Sequence, residues 1–523
     1  LTEHNTNIVS VQQENKSAPV VWPGVTIGFA AAIAMWLVWY PLHLPGLQLS
    51  PSVTAPILLL VMVAMIVRGS KQLGARALLG GLIAGLTCSL INLLLLGNTL
   101  TQKDPVTAEF TLRENATQIA GGFFLVSIAA GVIAGFIGKL LSKDAPHLQA
   151  QPNWLLRFGI AAVAALVPLV AIGGAVTSAG AGMAVPDWPG TYGQNMFLYP
   201  ITLMEQAVDS RIFLEHTHRL FGTLVGMTVF VLMIVVLRVK GGWAWLALTL
   251  PFIAASLIVT IFNNKGYIDL SFSLPLLGFF AVASLVFTLI AASLGKTGML
   301  TVGVFALVCT QGMLGALRVT ESNPTFGFMH GIFGQLILAA TVVLTASLSN
   351  SWSDKLSVNS SAVSGTRKWA LLAIGTLLIQ LAMAAAYRHF ESGHALMTHI
   401  GFSLIALSMT VIFAFNLMKI DKASDGCPTF KRLGMFLLHG VSLQMVLGIL
   451  ALVLLPDNAG EERVVMYDEL ETAADVSVAH MLFATAHQAL GASLLACSIL
   501  AAAWTLRTKQ MTENSGGTQS TPA

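Results

Sequence analysis

Charge is scarce in this chain. Asp, Glu, Lys and Arg together make up 10% of its 523 residues, against about 25% in ordinary globular proteins. So few charges cannot cover the surface of a soluble protein this long, and with 55% hydrophobic side chains its solvent is expected to be the lipid bilayer. Cysteine is scarcer still: four in the whole chain exclude a disulfide scaffold and a cysteine-built metal cluster. A strong excess of one charge sign is also missing. The net charge is +3 with Lys and Arg scattered, so no nucleic-acid partner is expected.

What the chain has in abundance is long apolar runs. About fourteen are long enough to cross a bilayer, at roughly 17 to 25 residues each. Four precede residue 150, and two, near 242–262 and 271–294, are followed by six more. The polar opening, residues 1–22, and the polar end, 508–523, read as loose tails. With the N-terminus inside, 19 of the 27 Lys and Arg fall on the inner side and 17 of the 24 acidic residues on the outer side. That bias predicts an integral membrane protein with both termini cytoplasmic.

Histidine carries the chemical information. Of the twelve, His4, His43 and His147 fall in tails or loops, and His439 lies toward the inner end of its span. The other eight gather toward the outer ends of four spans: His216, His218, His330, His389, His394, His399, His480 and His487. Ionisable side chains are costly in lipid, and those that occur there usually face a bundle interior or a cavity. Glu215 and His218 are three residues apart and share a helix face, whereas His216 points to nearly the opposite side and reads as peripheral. His480 and His487 share a face two turns apart.

A faint internal repeat pairs these spans. TQGMLGALRV (Thr310 to Val319) is echoed by LQMVLGILAL (Leu443 to Leu452), and MHGIFGQLIL (Met329 to Leu338) by AHQALGASLL (Ala486 to Leu495). The alignment sets His330 against His487, and His218 against His399. The expected fold is therefore an all-α polytopic membrane protein of about 14 transmembrane helices. It has two pseudo-symmetric four-helix bundles (151–350 and 366–507), an N-terminal four-helix region (23–150) and an inserted helix pair. Each half offers two histidines, which suits an iron porphyrin with an imidazole on each face. Zinc or copper would call for further ligands. Structural or proton-handling histidines are the competing reading. The halves differ in charge: Glu215 aligns with Leu396, and Arg219 with Ile400. Glu215 reads either as a proton-handling group or as a partner for Arg211 or Arg219.

Together with GGAVTSAGAGMAVPDWPGTYG (Gly173 to Gly193), FLEHTHRLFG (Phe213 to Gly222) and AHQALGA (Ala486 to Ala492), these segments make residues 153–506 resemble the heme A synthase family. Those membrane enzymes make heme A for cytochrome oxidases. The resemblance implies a reaction site in the first half, where Glu215, His218 and His330 serve the substrate heme o. It implies a resident heme b in the second half, ligated through its iron by His399 and His487. It further implies oxidation of the C8 methyl of heme o to a formyl group by successive hydroxylations, with electrons from an unidentified donor.

Several features depart from the family. GGAVTSAG lacks the arginine that often follows Gly-Gly in relatives, no cysteine lies on the outer side, and spans 242–294 are extra. His394 or His389 competes with His399 as ligand, and His480 with His487. The first 150 residues lie outside the resemblance. They read as a scaffold, or as a docking module for cytochrome oxidase subunits or for the heme o synthase. A non-catalytic haem carrier or assembly factor and a transmembrane electron-transfer cytochrome are the rival functions. The expected location is a bacterial inner (plasma) membrane, since the chain shows no Arg-rich transit-like start.

Overall fold

In the computed structural model, the described residues are 20–47, 49–103, 110–142, 152–205, 209–241, 295–353, 357–423, 428–455, 464–507 and 509–511. They are mostly helical. The long helices are α1 (Val21–Leu42), α2 (Pro51–Ser70), α3 (Ala77–Leu95), α4 (Ala116–Leu141), α5 (Trp154–Ser178), α6 (Ser210–Gly241), α7 (Gly295–Thr320), α8 (Pro324–Ser347), α9 (Ser360–Phe390), α10 (Gly393–Ala423), α11 (Pro428–Val453) and α12 (Val478–Leu506). Among the described residues, 11 apolar stretches are long enough to cross a membrane, and one of them, Pro51–Leu95, holds both α2 and α3. This is an all-α polytopic membrane protein. The expected spans at 242–262 and 271–294 lie outside the described residues, as do residues 1–19 and most of the C-terminal tail. Within that tail Lys509–Met511 pairs in parallel with Ser357–Asn359, so this part is not loose.

Helix boundaries follow local chemistry. Asn323 caps α8 by accepting from the Thr325 amide at 2.9 Å, with Pro324 in the first turn, where a missing N–H costs nothing. Between α2 and α3 a 3-10 segment turns at Gly74, whose φ of 55° suits a residue without a Cβ.

Two compact units divide the chain. The first comprises residues 1–161 and 194–207. In it α3 packs on α4 and α1, and α2 on α1 and α4. The α3–α4 approach depends on small residues: a Cβ on Gly85 would lie 2.6 Å from the Ser127 carbonyl oxygen, and one on Gly135 2.7 Å from that of Ala77. With no hydrophobic drive between helices in lipid, such close backbone packing is a main source of association. The Trp36 indole donates to Asn92 Oδ1 at 3.0 Å, satisfying two buried polar groups. The described side chains offer no further chemistry here.

The second unit comprises residues 162–193 and 208–523. In it α9, α10, α11 and α12 contact one another in a closed ring, α7 packs on α6 and α8, and α8 packs on α12 and α9. Phe413, Leu417, Phe430, Leu437 and Trp504 are among the side chains that fill the far end of the ring. The opposite end of these helices carries the histidines.

Candidate functional site

Four of the predicted histidines meet in two pairs. His218 of α6 faces His330 of α8 with ring centroids 6.2 Å apart and planes at 76°. His399 of α10 faces His487 of α12 at 6.1 Å and 80°. The alternation of helix direction places each histidine in the early turns of its helix, all at one end of the bundle.

Three of the four rings are held in the same way. Nδ1 of His330 donates to the Gln311 carbonyl at 3.1 Å, that of His399 to the Gln380 carbonyl at 3.1 Å, and that of His487 to the Gln444 carbonyl at 3.0 Å. A carbonyl only accepts, so in each neutral ring Nδ1 carries the proton and Nε2 keeps its lone pair. Metal-binding imidazoles are oriented by this type of bond. The Gln311 and Gln380 carboxamides return the contact, donating to the His330 and His399 carbonyls at 2.9 and 3.0 Å. Gln444 instead lies 3.3 Å from His487 Nε2, donating to the lone pair that a metal would take. A small residue sits four positions after each glutamine (Gly315, Ala384 and Gly448). His330 and His487 rest on the two glycines: a Cβ there would lie 3.1 Å from Cε1 of His330 and 2.8 Å from Cε1 of His487. His218 rests likewise on Gly173, at 3.1 Å, but the position four before Gly173 is Leu169. Its Nδ1 is buried without a hydrogen-bond partner among the described residues.

The remaining histidines take other places. His216 is fully buried, not peripheral as its helical phase predicts: the loop over α6 covers it, and Nδ1 lies 3.1 Å from Thr191 Oγ1. His394 is exposed. His480 is buried, with Nδ1 donating to the Ala451 carbonyl at 3.1 Å, two turns from His487. His389 lies beside Gly327 of α8. A cavity of ≈340 Å³, within the size range of small-molecule sites, opens beside the second pair; its polar lining includes His399, His480, His487, Arg388, His389 and Gln488.

Charge collects at the first pair. Glu215 is 5% exposed, and its Oε1 accepts from Arg219 Nε at 3.0 Å. Arg219 also donates to the carbonyls of Asp187 at 2.6 Å, Gly190 at 3.1 Å and Val185 at 2.9 Å, pinning the loop after α5. Asp187 in turn accepts from the Tyr192 and Gly193 amides at 2.7 and 2.9 Å. Arg211 pairs with Asp209 and donates to the Ala179 and Ala474 carbonyls, joining that loop to the one before α12. The partner of Glu215 is therefore Arg219, not Arg211. A second guanidinium, Arg318 of α7, stands within electrostatic reach of Glu215, His218, His330 and His389. Sequence reasoning passed over it, although it belongs to the repeated segment Thr310–Val319 and the aligned residue is Ala451.

A group gripped between two opposed imidazoles fits this arrangement. Metal–nitrogen bonds of about 2 Å, with each ring centre about 1.1 Å behind its nitrogen, put the centroids roughly 6.2 Å apart. Both pairs have that spacing. Among the described residues no three His, Cys, Asp or Glu side chains group as a metal site. Compared with known proteins, the chain matches no family model, no curated protein and no solved structure.

Proposed function

We propose that this protein is a heme A synthase-type oxidoreductase of two related four-helix halves, with a resident heme b at His399 and His487. Heme o would be the substrate, held at His218 and His330. The observation that carries the reading is the combination of two histidine pairs of equal geometry with a buried carboxylate–arginine pair, Glu215 and Arg219, beside only the first among the described residues. The reading places the protein in a bacterial inner membrane with both termini cytoplasmic and both pairs near the outer face, an orientation supported by the Lys and Arg bias.

Bound heme b supplies one-electron transfer. The Gln380 and Gln444 carbonyls would hold its two ligands in the tautomer that keeps Nε2 unprotonated, with the Gln444 carboxamide, 3.3 Å from His487 Nε2, turning aside to free that lone pair. Oxidation of the C8 methyl to a formyl group would remove four electrons from that carbon, through two hydroxylations and loss of water from the gem-diol. Dioxygen would be the oxidant in each, one oxygen atom going to the carbon and the other leaving as water with two electrons from the donor and two protons. The electron donor is a separate partner. Glu215 sits one turn before His218, its second carboxylate oxygen without a partner among the described residues. In this reading it accepts a proton from the reacting carbon or stabilises positive charge there. Arg219 fixes the carboxylate while bracing the loop that keeps water from the site. Heme o synthase and cytochrome oxidase subunits are the partners this role calls for.

The near-identity of the two pairs favours one other reading, an electron-transfer cytochrome with two permanent haems. Chromatography and mass analysis of extracted haems separates the two, with the protein co-expressed with a heme o synthase in a host lacking heme A. Heme A or hydroxylated heme o is expected. Heme b and unmodified heme o alone, with electron supply and oxygen present, would overturn the oxidase reading.

A further inference from the structure

We propose that Arg318 and His389 form a carboxylate-binding subsite between the two histidine pairs, which takes a propionate of the tetrapyrrole held at His218 and His330. The inference rests on the haem-binding reading above and deepens it.

Arg318 and His389 converge from different helices on one point. A Cβ built on Gly327 would lie 2.7 Å from His389 Nδ1 and 3.4 Å from Arg318 Nε. A Cβ on Gly182 would overlap the Arg318 guanidinium itself. Two glycines thus make room for one side chain: Gly182 in the loop after α5 and Gly327 in the first turn of α8. Arg318 lies seven residues after Gln311, on the same face of α7 as the glutamine whose carbonyl holds His330. It therefore points toward the first pair, two turns nearer the helix end.

Arg318 has no hydrogen-bond acceptor among the described residues. Glu215, the nearest carboxylate in electrostatic terms, is engaged by Arg219, and the donors of Arg219 are taken up by three backbone carbonyls. A guanidinium left without an acceptor in a low-dielectric bundle is costly, and a planar carboxylate is the anion whose geometry its fork matches. His389 adds a ring nitrogen to the same point and also lines the cavity of the second pair, so the subsite lies between the two centres. The aligned position in the second half is Ala451, whose carbonyl is occupied by His480. The subsite therefore belongs to the first pair alone.

The test is a haem titration of the full-length protein in lipid nanodiscs, read by Soret absorbance. Protohaem and its dimethyl ester are added separately after the tighter site has been filled. In the wild type the diacid is expected to bind the weaker site at least about tenfold more tightly than the ester. R318Q should remove that preference while leaving ester binding and the spectrum of the tighter site unchanged; R318K should recover part of it, and H389Q should reduce it less than R318Q does. Equal wild-type binding of diacid and ester overturns the subsite. So does a loss in R318Q shared by both forms, and so does displacement of the diacid from the wild type by an anionic lipid with no effect of R318Q. Failure of the wild type to bind any haem overturns the haem reading itself, a result distinct from the others.

Discussion

The two histidine pairs differ by 0.1 Å in ring separation and 4° in ring angle, yet their surroundings are unlike. At the second pair both rings are tied through Nδ1, and the residues aligned with Glu215, Arg219 and Arg318 are Leu396, Ile400 and Ala451. At the first pair the three charged groups are present, and one ring, His218, has no Nδ1 partner among the described residues. Under the proposed function, holding and reacting would therefore be separable on this scaffold. Rings fixed on both sides suit a group that stays. One fixed ring, one looser ring and local charge suit a group that must enter, react and leave. In lipid such charge is tolerated only with partners, which explains why Arg219 spends its donors on loop carbonyls.

The comparison breaks most visibly if a ligand is removed. His487→Ala should abolish the resident haem, seen as loss of its Soret band in the purified protein, while His218→Ala should leave that band and abolish product. A resident band surviving His487→Ala would mean that the pairs are assigned to the wrong roles. Next in size, Glu215→Gln should lower conversion of heme o by about 10²- to 10⁴-fold, the usual worth of a positioned proton-transfer group. The resident haem spectrum should not move. A parallel loss of haem and activity would reduce Glu215 to a structural partner of Arg219.

The bilayer class and the helices were readable from apolar runs, because lipid imposes length and composition on every span. The meeting of His218 with His330, and of His399 with His487, followed from a repeat that aligns His330 with His487 through a shared His-x-x-x-Gly and His218 with His399 at the matching place in each half. Less was readable where a partner lies far along the chain or is a backbone atom. The Gln311 and Gln444 segments were visible as echoes, but the shared task of Gln311, Gln380 and Gln444 was not, since each binds a histidine through a main-chain carbonyl that has no side-chain signature. Arg318 escaped for a similar reason: its surroundings come from Gly182, Gly327 and His389, on three other segments. Helical phase placed His216 opposite His218, but phase is silent about the loop that buries it.

A smaller effect sharpens the comparison of ring seats. Gly448→Ala and Gly315→Ala each put a methyl against an imidazole, at 2.8 and 3.1 Å from Cε1. Overpacking of this kind costs about 1–3 kcal/mol. Gly448→Ala should weaken retention of the resident haem and broaden its low-spin spectrum, and Gly315→Ala should do less, and only at the substrate site. Equal effects of both substitutions on one haem would mean that the two seats are not independent.

The smallest expected change gives the first pair a carboxamide like those at the other ring seats, which Leu169 does not supply. Leu169 occupies the place that glutamine holds before the other three ring seats, and His218 is the one ring of the four without the Nδ1 bond. Leu169→Gln supplies a carboxamide able to donate to the backbone around His218, as Gln311 does at His330. A net hydrogen bond contributes about 0.5–1.5 kcal/mol, so the gain in haem affinity at the first pair should be tenfold or less. Product release should slow by a comparable factor, because the looser ring is what distinguishes a site for exchange from a site for residence. Tighter binding with unchanged turnover would show that the freedom of His218 has no part in exchange, leaving charge as the sole difference between the two pairs that matters for the reaction.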